Sequence, residues 1–378
     1  MNILITGARS PYTLHLVRLL SKSNLNIFTV DSIENNLCKN TRYVKQNFLS
    51  PKPKQETEKY ISFLNKIIQE NNINFLIPTC EEVYYISKYI DKIYCEVFTS
   101  NIEILTRLHS KNKFIKLLNE INIKCPKTTL VQNKEDLYKH LINNDKFVLK
   151  PEFSRFASKT IINDKKPQTI SKINIDKKNK WVIQEFIEGE QYCSYTLARN
   201  GNITAHSSYP SKYFAGIGST IYFENIKEDK ILEIVSKIVK KLNYTGQISF
   251  DFIKSKNDNL FYPIECNPRT TSGVVLFDKE DNISKAFFED NVFIEPKSNL
   301  KKMYAIAMIL YELPKFKNYL KFFSDFFKAK DVIYEKNDFK PFINQFMIIK
   351  DYYKIAKKLN ISILEASTID IEWNGTWD

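Results

Sequence analysis

The sequence predicts an α/β unit on a parallel sheet, then an antiparallel α+β region, then a mostly helical C-terminal segment. Two observations carry this. Up to about residue 98, short apolar runs alternate with stretches of helical periodicity, the pattern of strand–helix–strand units with helices on both faces of a sheet. Beyond residue 147 the apolar runs follow one another across Asn, Gly and Lys turns with one helical pattern between them, which antiparallel strands produce.

The elements follow in chain order. Residues 2–6 (NILIT) form the first strand, and Gly7 to Pro11 a turn. Leu14, Val17 and Leu20 then recur at helical spacing. A second strand runs from Asn26 to Val30 and ends in Asp31. A helix over about Glu58–Glu70 leads to a strand at Phe75–Pro78, another helix covers about Glu81–Tyr89, and a strand lies near Tyr94–Phe98. A helix from about Ser110 to Ile121 stops before Pro126. Strands are expected at 147–149, 181–186, 193–197, 203–208, 247–253 and 260–265, with a helix over about Asp229–Leu242. The aromatic run Phe316, Tyr319, Phe322, Phe323, Phe326 and Phe327 is expected to pack as helix against the rest, in preference to lying on a membrane, and a strand is expected near Asp331–Tyr334.

The six cysteines (Cys38, Cys80, Cys95, Cys125, Cys193, Cys266) include no C-x-x-C pair, so neither a disulfide framework nor a zinc ribbon is expected. The N-terminus lacks a charged region, an apolar run and a small-residue cleavage site, so no secretory signal is expected and a cytoplasmic location is. The net charge of +13 comes from lysines spread along the chain, without an RNA-binding motif; neither nucleic acid nor membrane is an expected partner. The first turn, TGARSPYT, has one glycine where a dinucleotide loop needs three. Bound NAD or FAD is not expected, and Asp31 is given no ribose role.

The chemistry concentrates in 251-DFIKSKNDNLFYPIECNPR-269. A hairpin turning near Ser255–Asn259 brings Asp251 against Glu265 and Asn267, and the spacing of the last two puts them on one face of a strand. Hard oxygen ligands on one face suit Mg²⁺ shared with substrate phosphates, so Asp251, Glu265 and Asn267 are the expected metal ligands, Mn²⁺ being the alternative ion. Arg269, two residues further, places a cation on the same side. The opposing possibility is an ordinary exposed hairpin edge.

E-x-N-P-R after an Asp-bearing strand resembles the metal-binding end of the ATP-grasp superfamily, above all the synthetase domains of the carbamoyl phosphate synthetase large subunit, and more loosely biotin carboxylase and D-alanine–D-alanine ligase. The resemblance runs upstream in order. FLIPTCEEVYYIS (75–87) resembles the strand–turn–helix of the family's N-terminal domain, and SKNKFIKLLNEINIKCPKT (110–128) the entry to the grasp domain. Lys113 then matches the first nucleotide-phosphate cation. FVLKP (147–151) supplies the second, Lys150, and WVIQEFIEGEQ (181–191) resembles the hinge that grips adenine. The resemblance implies an N-terminal α/β domain over 1–105, a two-lobed ATP-grasp domain over 106–295 with its lid lobe at about 127–190, and a C-terminal closing segment over 296–378. It also implies adenine contacts from Gln184, Glu185, Phe186 and Ile187, ribose contacts from Glu190 and Gln191, and catalytic roles for Arg269 and Asn267.

Two departures stand out. Many relatives carry a glycine-rich phosphate flap after the second lysine; here the stretch is PEFSRFASKT, where Ser154 and Ser158 offer hydroxyls and Arg155 is placed to meet a phosphate or a substrate carboxylate, unless it faces solvent. The ribose-binding Glu of relatives is Gln191 here. Residues 206–224, with Lys212, Tyr213, Gly216 and Gly218, occupy a stretch that faces substrate in relatives, or else form a plain surface loop. The expected activity is Mg-ATP-dependent joining of a carboxylate to an amine (or thiol) through an acyl phosphate, releasing ADP and phosphate. The partners are small-molecule carboxylates and amines, and the fold also admits a homodimer. Alternatives are phosphorylation of bicarbonate, as in carbamoyl phosphate synthesis, and a non-catalytic nucleotide-binding regulator.

Overall fold

The structure, a computed structural model, describes residues 1–143, 146–155, 159–176, 179–216, 218–297, 300–315 and 319–377. Ser158 and Phe316 lie outside the described residues.

Strands β1 (Asn2–Thr6), β2 (Asn26–Asp31), β3 (Gln46–Leu49), β4 (Phe75–Ile77) and β5 (Glu96–Val97) form a parallel sheet in the order β3-β2-β1-β4-β5. Helices α1 (Pro11–Leu20), α2 (Thr57–Glu70) and α3 (Glu82–Lys88) make the crossovers. Side chains alternate along a strand, so Ile3, Ile5, Ile27, Phe75 and Ile77 pack with α1 while Leu4, Phe28, Val30 and Leu76 pack with α2. The loops after β1 and β4 lie side by side, with Thr79 Oγ1 donating to the Thr6 carbonyl at 2.6 Å. Gly7 is required there: its φ is +71° and a Cβ would come within 2.5 Å of Thr79 Oγ1.

Two helices, not one, follow the sheet. Asn101 caps α4 (Ile102–His109), and Ser110 caps α5 (Lys111–Glu120) by accepting from the Lys113 amide. Next come β6 (Thr128–Val131), α6 (Lys134–Asn143), β7 (Phe147–Pro151), β8 (Ile161–Ile162), α7 (Pro167–Ile170) and β9 (Trp181–Glu185). Their strands form an antiparallel sheet, β6-β9-β7-β8, with a small core of its own that includes Val131, Leu137, Phe147, Leu149, Trp181 and Ile183.

A second antiparallel sheet, β11-β10-β15-β16, is built from β10 (Gly189–Arg199), β11 (Asn202–Pro210), β15 (Gly246–Ser255) and β16 (Phe261–Asn267). Between β11 and β15 lie the short strands β12 (Phe214–Ala215), β13 (Ser219–Thr220) and β14 (Tyr222–Glu224), and helix α8 (Asp229–Lys241). One face, with Ile248, Phe250 and Phe252, packs on α8 and α5; the other, with Tyr195 and Leu197, packs on residues 274–277.

The C-terminal part contains α9 (Ser284–Phe288), β17 (Lys301–Met303), α10 (Ala305–Ala307), α11 (Tyr319–Lys328), β18 (Lys330–Asp331), α12 (Lys340–Leu359) and α13 (Ile363–Ala366). It is not helical throughout, because β17 extends β14 and pairs with β18. The expected strand at 331–334 ends at Asp331. The aromatic run packs only in part: Phe322 is buried and Phe326 joins the same cluster, but Leu320 and Phe327 are 87% and 80% exposed. Both faces of α11 are apolar, and one face alone meets the core. Among the described residues no helix is long and apolar enough to cross a membrane.

The chain end returns to the parallel sheet. Arg9 donates to both Asp31 and Asp370 from a buried position, so the Asp31 carboxylate is taken up by a guanidinium. Trp373 is buried against Tyr84 and Phe153.

Candidate active site

The β15–β16 register sets Asp251 directly opposite Glu265, and Ser249 opposite Asn267. The ladder slips between Asp251 and Phe252, which pairs with Pro263; a proline has no N–H to keep the regular pattern. Like charges opposed across strands destabilise a sheet, so this pair needs a reason to exist. Burial, and then the neighbouring Glu265, push the Asp251 carboxyl above its ordinary range. Asn267 Nδ2 donates to Asp251 Oδ2 at 3.4 Å, and Arg269 Nη2 donates to Asn267 Oδ1 at 3.2 Å.

Cations approach from other elements. Lys150, near the end of β7, is buried and donates to the Ile264 carbonyl at 3.3 Å, which ties the 128–185 sheet to β16. Burial lowers its pKa to about 8, with the Lys111 charge adding and Glu265 opposing. Lys111 Nζ lies 3.5 Å from Glu265 Oε2 and donates to the Ser154 carbonyl at 3.2 Å. Cys193, on β10 opposite Asp251, donates its thiol to Asp251 Oδ1 at 3.1 Å. Burial first, then that carboxylate, raise the Cys193 pKa and keep it a thiol.

Asp251, Glu265, Asn267, Arg269 and Lys150 thus come together. Lys113 does not: it is exposed, and the cation at the carboxylates is Lys111, two residues earlier on α5. Ser110 caps the helix, which turns position 111 inward and position 113 to solvent. Arg155 neither faces solvent nor lies free for a phosphate. It is buried and ion-paired with Glu81, from the loop after β4. Gln184 is buried and donates to Thr128 Oγ1 at 2.9 Å; the Glu185 carboxylate accepts from the Lys127 amide at 3.1 Å. Phe186 and Ile187 are half-buried in the connection to β10. Gly189 lets this junction close, since a Cβ there would fall 2.0 Å from the Lys254 carbonyl. Glu190 and Gln191 are exposed at the start of β10, where Glu190 accepts from the Tyr192 hydroxyl at 3.1 Å. In the 206–224 stretch, Lys212 pairs with Glu224, and Tyr213 is buried with its hydroxyl donating to Asp325 at 2.6 Å, so Tyr213 belongs to a core.

Three groups at or beside the site escaped the sequence reading: Lys111, Cys193 and Glu81. Alternation along β10 could have found Cys193, and the Ser110 cap could have found Lys111. Nothing local pairs Glu81 with Arg155, 74 residues away.

Among the described residues no group of three His, Cys, Asp or Glu side chains is placed to hold a metal ion. The available donors are two carboxylates and an amide. That set fits a hard divalent cation that substrate phosphates also hold, and such a cation would relieve the Asp251–Glu265 opposition.

Residues 108–273 match the family model described as ATP-grasp domain. An uncharacterised protein of Methanocaldococcus jannaschii is 26% identical over 167 residues, 44% of this chain and 41% of that protein, so the match spans less than half of the relative. Among solved structures, an L-amino acid ligase from Bacillus licheniformis superposes with a TM-score of 0.59 at 16% identity, over 75% of this chain and 70% of that one. The N5-carboxyaminoimidazole synthetase of Staphylococcus aureus, complexed with ADP, gives a TM-score of 0.63 at 16% identity, over 84% and 86%. These identities speak to the fold. The chain carries an ATP-grasp domain over residues 108–273, in the fold that ATP-grasp ligases share.

Proposed function

We propose that the chain is an ATP-dependent ligase, which phosphorylates a carboxylate and passes the acyl group to an amine or similar nucleophile. The supporting observation is the opposed Asp251–Glu265 pair, with Asn267, Lys111, Lys150 and Arg269 around it, inside the ATP-grasp domain. Asp251, Glu265 and Asn267 would hold Mg²⁺ or Mn²⁺, which when bound offsets the charge of the terminal phosphates.

The chain's own residues then act by position and charge. Lys150 and Lys111 neutralise phosphate oxygens, and Arg269 meets the phosphoryl group in transfer. The Gln184–Ile187 connection receives the adenine edge, and Glu190 and Gln191 lie toward the ribose. A carboxylate oxygen of the substrate attacks the γ-phosphorus, and the bond to the β-phosphate oxygen breaks to release ADP. The amine nitrogen attacks the acyl carbon, inorganic phosphate leaves, and the nitrogen gives up a proton. No covalent nucleophile on the enzyme is needed, because orientation supplies much of the rate. In this reading residues 1–105, 106–295 and 296–378 are the functional units, with the lid at 127–190.

The test is release of ADP and phosphate from Mg-ATP against a panel of amino acids and small carboxylates. Release that requires both a carboxylate and a nucleophile supports the ligase. Release with bicarbonate alone favours the carbamoyl-phosphate type of chemistry, and nucleotide binding without release under any pairing contradicts catalysis.

A further inference from the structure

The loop after β4 places one carboxylate, Glu81, where distant parts of the chain meet. Its side chain is 3% exposed. Oε2 accepts from Arg155, which follows β7, and from the Trp373 amide in the C-terminal tail at 3.3 Å. Oε1 is left facing Arg269 Nε at 3.5 Å. From Arg269 the chain of contacts continues through Asn267 to Asp251. Burial works most strongly against the Arg269 charge, and Glu81 together with Tyr12, Tyr84 and Cys80 more than offsets it, so the guanidinium stays protonated.

A guanidinium recognises phosphate through a planar fork, so its value depends on its angle. Arg269 donates from Nη2 to Asn267 Oδ1 and from Nη1 to the Thr270 carbonyl, both at 3.2 Å, and its Nε side faces Glu81. Asn267 and Thr270 are its own neighbours in sequence, so Glu81 is the anchor that comes from another part of the fold. The carboxylate in turn is clamped by Arg155 and by Trp373, which stacks on Tyr84 with ring centroids 5.1 Å apart. We infer that Glu81 is a positioning residue: it fixes the fork of Arg269 for the terminal phosphate of ATP, and the C-terminal tail holds Glu81 in place. The inference rests on the ATP-dependent reading above, and adds a residue outside the ATP-grasp match.

Glu81→Gln would strand two buried guanidiniums and invite unfolding. The variant for the test is therefore Glu81→Asp, which keeps the charge and withdraws the carboxylate by one methylene. The full-length protein is titrated calorimetrically with Mg-ADP and with a Mg-bound non-hydrolysable ATP analogue. Wild type should prefer the triphosphate. Glu81→Asp should lose about fivefold of that preference while binding Mg-ADP within about twofold of wild type, as expected when one fixed charge-assisted contact is misaligned. Arg269→Lys should lose a similar amount. The double variant should lose no more than Arg269→Lys alone, because residues acting through one another are non-additive. A merely structural glutamate would give losses that multiply, and would weaken Mg-ADP as well. An unchanged preference in Glu81→Asp, or multiplying losses in the double variant, overturns the inference. Failure of wild type to bind either nucleotide would instead remove the ATP-dependent reading, and this inference with it.

Discussion

The β15–β16 hairpin and the stretch that follows β7 bring charges to the same region, and they hold them in opposite ways. In the hairpin, backbone pairing forces Asp251 and Glu265 face to face, and the nearby Lys111 and Lys150 offset their repulsion only in part, since Asp251 is still pushed above its ordinary range. After β7 the buried charges have protein partners: Arg155 on Glu81 and Glu152 on the Ser110 hydroxyl. Charge only partly relieved and held by rigid pairing marks a place that receives a ligand. Charge already paired and buried marks a place that organises the fold around it. The two regions therefore respond differently to substitution.

The largest effect should come from the hairpin. Glu265→Gln and Asn267→Ala are each expected to lower turnover by about two to three orders of magnitude, the scale of removing a preorganised charge from a phosphoryl-transfer site. Removing one of two opposed carboxylates removes repulsion but also takes the carboxylate partner from the buried Lys111, so the thermal midpoint of Glu265→Gln should change little. Steady-state kinetics and calorimetric melting check both; turnover at the wild-type rate would refute the assignment.

Arg155 should behave in the reverse sense. Arg155→Ala breaks a buried pair and should cost about 3 kcal/mol of stability, and because Arg155 clamps Glu81, the folded fraction should lose no more ATP affinity than Glu81→Asp does. Denaturant unfolding measures the first and calorimetric titration the second. A loss of ATP affinity beyond that of Glu81→Asp, with unchanged stability, would return Arg155 to the phosphates.

The two lysines of α5 sharpen the contrast within a single helix. Lys111→Met should reduce turnover by about tenfold, since its ammonium faces Glu265, while exposed Lys113→Ala should stay within about twofold. Equal effects would mean that the helix faces are misassigned.

What was legible follows the same division. The i, i+2 spacing of Glu265 and Asn267, and the turn near Ser255–Asn259, constrain a hairpin whatever surrounds it, because strand alternation is local. Four strands of the parallel sheet were legible for the same reason; the edge strand β3 (QNFL) was not, because it is short and half-exposed and lacks an apolar run. Lys113 was misplaced although its cue is local, the Ser110 cap that sets which face of α5 turns inward. Arg155 was misplaced because its partner is a carboxylate in another sheet's loop. The apolar character of α11 was visible, but periodicity carries no information on which of two apolar faces finds a core. The docking of Trp373 and Asp370 joins the two ends of the chain, and no pattern in sequence announces that.

The smallest effect lies away from the site, in buried histidines. Burial lowers His206 to about 4. Burial, then Lys302, lower His15 to about 3, with the Phe277 carbonyl opposing. Between the ordinary imidazole value and these, the unfolded chain binds protons that the folded chain does not. Their contribution is therefore complete above about pH 6.5 and is lost as pH falls toward 4. Relative to wild type, His206→Gln should lose less stability between pH 7 and 4.5, by on the order of 2 kcal/mol. Thermal melting at the two pH values decides it; parallel losses would mean that His206 is protonated in the fold.

The central claim is that a carboxylate is activated by ATP at the Asp251–Glu265 pair. The most direct measurement uses the carboxylate found in the ADP-release screen, labelled with oxygen-18 in its carboxyl group and incubated with Mg-ATP and the nucleophile. Attack of that oxygen on the γ-phosphorus must carry the label into inorganic phosphate. Wild type is expected to release phosphates that carry one labelled oxygen each, and Glu265→Gln to release labelled phosphate slower by about two to three orders of magnitude. Unlabelled phosphate from an enzyme that still makes product would contradict the claim.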